Sequence, residues 1–165
     1  MKLTVRKATN DDIPAIMDLL HQVCMVHHNG RPDLFKGPAA KYTAEELNSI
    51  LKNADTPVFV CTDENDCVLG HGFCILQHFG DKLMQCHDTL YIDDICVDEK
   101  YRGKGAGRTL YEYILSYAAS IGCYNVTLNV WCCNPDAMAF YQKLGMSAYK
   151  IGMDIILPAE KRRSI

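Results

Sequence analysis

The stretch Tyr101-Arg102-Gly103-Lys104-Gly105-Ala106-Gly107-Arg108 carries the most legible chemistry in this chain. It stands between an apolar run ending at Val97 and a helical repeat beginning near Leu110. A glycine turn between a strand and a helix aims unpaired backbone N–H groups one way, which makes a seat for a phosphate. Three glycines alone would serve a tight turn equally well, because glycine accepts left-handed backbone. Arg102, Lys104 and Arg108 tip the balance, since cations at a helix N-terminus are unfavourable unless an anion sits among them. The turn predicts a bound pyrophosphate.

Other reactive side chains carry less. His21, His27 and His28 have no cysteine or carboxylate partner at convincing ligand spacing, so no metal is expected. Cys96 and the pair Cys132-Cys133 could in principle carry an acyl group, but no histidine stands near either in sequence to activate a thiol. Nine cysteines, an odd number without a C-x-x-C pair, sit mostly in apolar runs as small hydrophobes do in a reducing compartment. A cytoplasmic location is expected.

At 165 residues, with 48% hydrophobic and 22% charged content, the chain reads as one folded domain over residues 1–158 followed by a polar tail over 159–165. The net charge of −3 lacks the basic stripe that nucleic-acid binding needs, and Lys161-Arg162-Arg163 reads as a solvated end. No apolar run approaches the roughly 18 residues of a membrane span, and the early charges exclude a signal peptide. No nucleic-acid or membrane partner is expected.

Strand and helix signals alternate along the chain. Leu3 and Val5 mark a first strand; Ile13, Ile16, Met17, Leu20 and Cys24 repeat at helical spacing behind Thr9 or Asn10; residues 26–41 read as irregular. Thr43-x-x-Glu46 opens a second helix with a capping box. Residues 58–61 and 67–76 flank the turn 63–66 as a hairpin, residues 80–87 read as a loop, and 89–97 is a strand delivering the chain to the glycine turn. Leu110, Tyr113, Ile114, Tyr117, Ala118 and Ile121 share one helical face, and 124–131 is a strand. Asn134-Pro135-Asp136 then opens a last helix that Gly145 stops, and 148–157 closes the sheet.

Arg102-x-x-Gly105-x-Gly107 after that strand, Asn134-Pro135, and Phe140-Tyr141-x-x-Leu144-Gly145-Met146 together resemble the GNAT superfamily of acetyl-coenzyme A-dependent N-acetyltransferases. The order of elements over nearly the whole chain is similar too. Within the superfamily the stretch around Asp93 most resembles the spermidine/spermine N-acetyltransferase branch. The resemblance implies an α+β (mixed α/β) fold. Its sheet would have six to seven mostly antiparallel strands with a splayed parallel pair, flanked by about four helices. It implies acetyl-CoA as acyl donor, held in the splay by Ile95, Cys96 and Val97 with a bulge freeing the amides of Ile95 and Val97. Arg102, Gly103, Lys104, Gly105, Ala106 and Gly107 would wrap the pyrophosphate, and Asn134 would touch the cofactor.

Attack of an amine on a thioester needs a neutral amine, a donor for the developing oxyanion and a proton for the departing sulfur. By resemblance Tyr141 gives that proton; packing beside Phe140 is its other reading. The Ile95 amide is the natural oxyanion donor. Asp93 matches an acid that binds or deprotonates the amine, although the branch more often carries glutamate there, which leaves a water relay open. On an undisturbed strand Asp93 and Asp94 face opposite sides, so one of them faces the substrate. His28, Arg31 and Phe35, with Asp94, are the expected acceptor contacts. The expected function is direct acetyl transfer to a primary amine of a small molecule. The alternatives are a protein or peptide acetyltransferase and a non-catalytic acyl-CoA-binding module. Relatives that pair through C-terminal strands imply a homodimer through Tyr149 to Leu157.

Overall fold

Strand β2 (Val58–Thr62) is buried along its whole length, and that fixes the architecture around it. Val58 and Val60 pack with Ile16, Leu20, Leu47 and Phe73 in one apolar cluster, whereas Phe59 and Cys61 join Leu90, Ile92, Leu110 and Ile114 in another. A strand covered on both faces reads as a continuous apolar run because alternate side chains enter two different cores. Helices therefore lie on both sides of the sheet.

In this computed structural model, which describes residues 1–38 and 41–158, the sheet has five strands in the order β1-β2-β3-β4-β5. β1 is Thr4–Lys7, β3 Val68–Phe79, β4 His87–Val97 and β5 Asn125–Leu128. Pairing is antiparallel except between β4 and β5, which run parallel. Helices α1 (Ile13–Gly30) and α2 (Ala44–Lys52) cover one face; α3 (Ala106–Ser120) covers the other, and α4 (Pro135–Lys143) follows β5. No helix among the described residues is long and apolar enough to cross a membrane.

The capping box of α2 forms: Thr43 Oγ1 accepts from the Glu46 amide at 3.2 Å, and the Glu46 carboxylate accepts from the Thr43 amide at 2.8 Å. Helix α3 begins at Ala106, four residues before its first expected apolar position, and buries Tyr111, while Tyr113 and Ile121 are exposed. Close packing requires glycine at Gly70 of β3 and favours it at Gly72. A Cβ on Gly70 would stand 2.6 Å from the Cys96 carbonyl oxygen, and one on Gly72 would stand 2.9 Å from Ile114 Cδ1. The bare Gly70 lets β4 approach, and the bare Gly72 leaves room for Ile114 of α3.

Four expectations are corrected. The stretch 26–30, read as irregular, continues α1, because nothing before Gly30 and Pro32 interrupts the helix. β3 and β4 each extend past the expected ends, their tips held by the pairs His78↔Asp88 and Phe79↔His87. β5 stops at Leu128 rather than at residue 131. Most importantly, 148–157 is not part of the sheet, which has five strands rather than six or seven. Its alternating Ile151, Met153 and Ile155 remain exposed, because a strand needs an edge to pair with and this segment has found none among the described residues. The tail expected over 159–165 lies outside the described residues.

An ion pair ties β1 to the start of α1. Arg6 donates to both Asp12 oxygens at 2.8 and 3.0 Å, and the Thr9 amide adds a bond at 2.7 Å. Burial pushes the Asp12 carboxyl up, but the Arg6 guanidinium and the Thr9 amide outweigh it and hold the group below its usual 3.8. A depressed native pKa gives stability that is present above the unfolded value, about 3.9, and lost as pH falls through the native one. Asp12→Asn is expected to lower unfolding free energy at pH 7 by about 2 kcal/mol. Urea midpoints of the two proteins should draw together as pH falls below about 3.9.

Candidate active site

Strands β4 and β5 pair through Thr89↔Asn125, Leu90↔Val126, Tyr91↔Thr127 and Ile92↔Leu128, and no further. One end is locked, with Thr89 Oγ1 2.7 Å from Asn125 Oδ1. Beyond Ile92 the two strands part. On its other side β4 pairs Ile92 with Cys74 but Asp94 with Phe73, so Asp93 is an extra residue, a bulge.

The bulge decides two directions at once. Past it, the Asp98 amide donates to Leu69 on β3 at 2.9 Å, and since successive amides point to opposite edges, those of Asp94 and Cys96 also face β3. The amides of Ile95 and Val97 face the gap that β5 has vacated. The bulge also places both acids on one side of the sheet, which corrects the expectation that they face opposite ways. Asp93 accepts from Lys41 Nζ at 2.6 Å and lies 3.4 Å from the Tyr42 hydroxyl, while Asp94 lies 3.0 Å from His71 Nε2. Tyr42 and His71 both pack on the ring of Phe73. Cys96 offers the gap nothing: its thiol turns toward the Leu19 carbonyl of α1, and burial pushes it up to about 12.

At the end of β4 the glycine turn takes the expected form. Gly103 and Gly105 have φ of 74° and 95°, left-handed values that a side chain would strain, and Gly105 is the N-cap of α3. The first helical bond runs from the Thr109 amide to the Gly105 carbonyl, which leaves the amides of Ala106, Gly107 and Arg108 without a backbone partner among the described residues. Arg102 Nε donates to the Val97 carbonyl at 3.2 Å, pinning the turn to the strand. Lys104 lies over the Tyr101 ring at 4.9 Å, and Arg108 is 3.7 Å from Glu112. The donors of this row suit a diphosphate.

Tyr141 sits on α4, packed against Tyr111 and Phe140. Burial, followed by the negative charge of Asp94 and by Tyr111, pushes its phenol well above the usual range. It stays protonated at neutral pH. Asn134 caps α4 by accepting from the Ala137 amide at 3.2 Å, so that its side-chain oxygen is engaged.

The expected acceptor wall forms a cluster at the end of α1. Phe35 stacks on His27 and meets Trp131 edge-on, and His28 Nδ1 lies 2.9 Å from the Phe35 carbonyl. Arg31 is held by Asp33 at 2.8 Å and by Asp154 at 3.7 Å. The sequence alone does not single out His71, Lys41, Tyr42 or Trp131. Only His71 left a trace there, as a polar residue inside the apolar run 68–76. Among the described residues no group of three His, Cys, Asp or Glu side chains could hold a metal ion.

A sheet that opens between two parallel strands, above a helix N-terminus with free amides, defines a domain built to hold an extended ligand with an anionic end. The chain belongs to the Acetyltransferase (GNAT) family, whose sequence profile matches residues 25–146. It is 37% identical over 71 residues to glucosamine 6-phosphate N-acetyltransferase of Arabidopsis thaliana, covering 43% of this chain and 46% of that protein. It is 32% identical over 82 residues to thialysine N-epsilon-acetyltransferase of Bos taurus, covering 50% and 46%. The matched part spans just under half the length of these two relatives. The solved structure of a tetramutant of the BH1408 protein from Bacillus halodurans superposes with a TM-score of 0.89 at 30% identity, covering 93% of this chain and 99% of that one.

Proposed function

We propose that this protein transfers the acetyl group of acetyl-CoA directly to a primary amine of a small molecule. The observations that carry this reading are two rows of free donors, the gap-facing amides of Ile95 and Val97 and the amides of Ala106, Gly107 and Arg108, together with a protonated phenol at Tyr141 that feels the charge of Asp94. Acetyl-CoA supplies an activated thioester. The amides at the start of α3, shaped by Gly103 and Gly105 and flanked by Arg102 and Lys104, hold its diphosphate. Ile95 and Val97 hold the pantetheine arm, and the Ile95 amide is a rigid donor for charge developing on the acyl oxygen. Asn134 approaches the cofactor from the mouth of α4. Tyr141 gives its proton to the departing sulfur.

The two acids receive the acceptor as an ammonium ion, and His28, Arg31 and Phe35 line its way in. A slightly acidic protein with two carboxylates on one face of the gap favours a cationic small molecule over a peptide. Nine free cysteines favour the reducing cytoplasm. Exposed Tyr149, Ile151, Met153, Ile155 and Leu157, together with the unpaired outer edge of β5, favour a homodimer in which this segment gains a strand partner.

The test is release of coenzyme A thiol across polyamines, lysine analogues, amino sugars and their phosphates, aminoglycosides and peptides. Release with at least one small amine is expected. Release with peptides alone would move the acceptor to polypeptides, and tight CoA binding without any acceptor-dependent release would leave a binding module.

A further inference from the structure

His71 is fully buried on β3, edge-on to Phe73 and opposite Cys96. Its Nε2 lies 3.0 Å from Asp94 Oδ2, and its Nδ1 has no partner at all among the described residues. An apolar side chain would fill this place without leaving a polar atom unpaired, a cost of about 1–3 kcal/mol. The imidazole is therefore explained by its one contact. A carboxylate only accepts, so Nε2 carries the hydrogen of this bond and donates it to Asp94. The bond fixes Oδ2 of Asp94 and leaves Oδ1 without a protein partner among the described residues.

Asp93 is differently placed. It is tied to Lys41 at 2.6 Å and approached by the Tyr42 hydroxyl, so its charge is already balanced by a cation. Asp94 makes no direct ion pair with a lysine or arginine among the described residues, feels the Lys41 charge only at longer range, is largely screened from solvent with 11% of its side chain exposed, and acts on the Tyr141 phenol through its charge. Resting on the acetyl-transfer reading, we propose that Asp94 is the group that takes the ammonium proton of the acceptor, and that His71 is the positioning residue that aims it. One N–H bond of the ammonium breaks, its proton goes to Asp94 Oδ1, and the electron pair stays on nitrogen as the nucleophile. The proton then leaves Asp94 for solvent. Asp93 with Lys41 holds the acceptor's polar body at the rim.

The groups facing this pair are few. They are Asp93 and Cys96 on β4, Lys41 and Tyr42 ahead of α2, and Tyr141 on α4, while α1 offers the Leu19 carbonyl that receives the Cys96 thiol. A hydrogen bond donated to a carboxylate favours its charged form, so removing the donor raises the pH at which the acid limb of kcat/KM falls.

The experiment compares pH profiles of kcat/KM for wild type, His71→Leu, His71→Gln, Asp94→Asn and Asp93→Asn, with the best small amine of the thiol-release panel. His71→Leu should lower kcat/KM about tenfold at neutral pH and move the acid limb upward by about one pH unit. His71→Gln, whose amide N–H can reach Oδ2, should restore most of the rate and the limb. Asp94→Asn should abolish the limb; Asp93→Asn should keep it and raise KM. CoA affinity, read by calorimetry, reports whether each variant is folded, and should His71→Leu fail to fold, His71→Gln and the two acid variants decide. An unmoved limb in His71→Leu, or a limb lost in Asp93→Asn and kept in Asp94→Asn, overturns the assignment while acetyl transfer stands. A wild type without acceptor-dependent release sinks the function itself, and this role with it.

Discussion

Tyr141→Phe is expected to lower kcat by about a hundredfold while CoA affinity stays within about threefold of wild type. The ring remains, so its packing against Tyr111 and Phe140 is kept and the fold loses little. What disappears is one proton. That proton is held firmly, because burial and the neighbouring Asp94 charge disfavour the phenolate, so wild-type activity should show no loss from Tyr141 ionisation up to about pH 10. Stopped-flow turnover and calorimetric CoA titration of the same samples separate the possibilities. An equal loss of rate and affinity would make Tyr141 a packing residue, its other reading from sequence.

Gly107→Pro should weaken CoA binding about thirtyfold. The residue is the second of α3, where a proline is tolerated because its amide has no helical partner. A hydrogen bond to a charged group contributes about 2 kcal/mol, which corresponds to that factor. Gly107→Ala adds a Cβ at 3.4 Å from the Phe140 ring but keeps the N–H, so the ratio of the two affinities isolates the amide from the added bulk. Equal affinities in the two variants would show that this amide does not reach the diphosphate.

What the sequence reveals follows from how local each cause is. The glycine turn is legible because Gly103 and Gly105 need left-handed backbone, and that need is written in the residues themselves. The caps at Thr43 and Asn134 are legible for the same reason, since each bonds a residue three positions on. The direction of Asp93 and Asp94 is not local. It depends on which residue of β3 stands opposite each, and one extra residue in the ladder turns both acids the same way. The role of His71 is likewise hidden, because its partner is 23 positions away. The fate of 148–157 is the hardest to read, since alternation signals a strand but says nothing of whether an edge is available.

The two bare positions on β3, Gly70 and Gly72, have a bearing on how this enzyme fold could be re-engineered. Gly70 lies against the Cys96 carbonyl, Val97 and Leu110, and Gly72 against Ile114 and Ile95, so both border the strand and the helix that carry the two rows of amides. A library that enlarges Gly70 drives a side chain into the Cys96 carbonyl and disturbs the strand that carries Ile95 and Val97 before selectivity is even sampled. Randomising His27, Phe35 and Trp131, which pack on one another at the end of α1, would put the variation where the proposed acceptor enters.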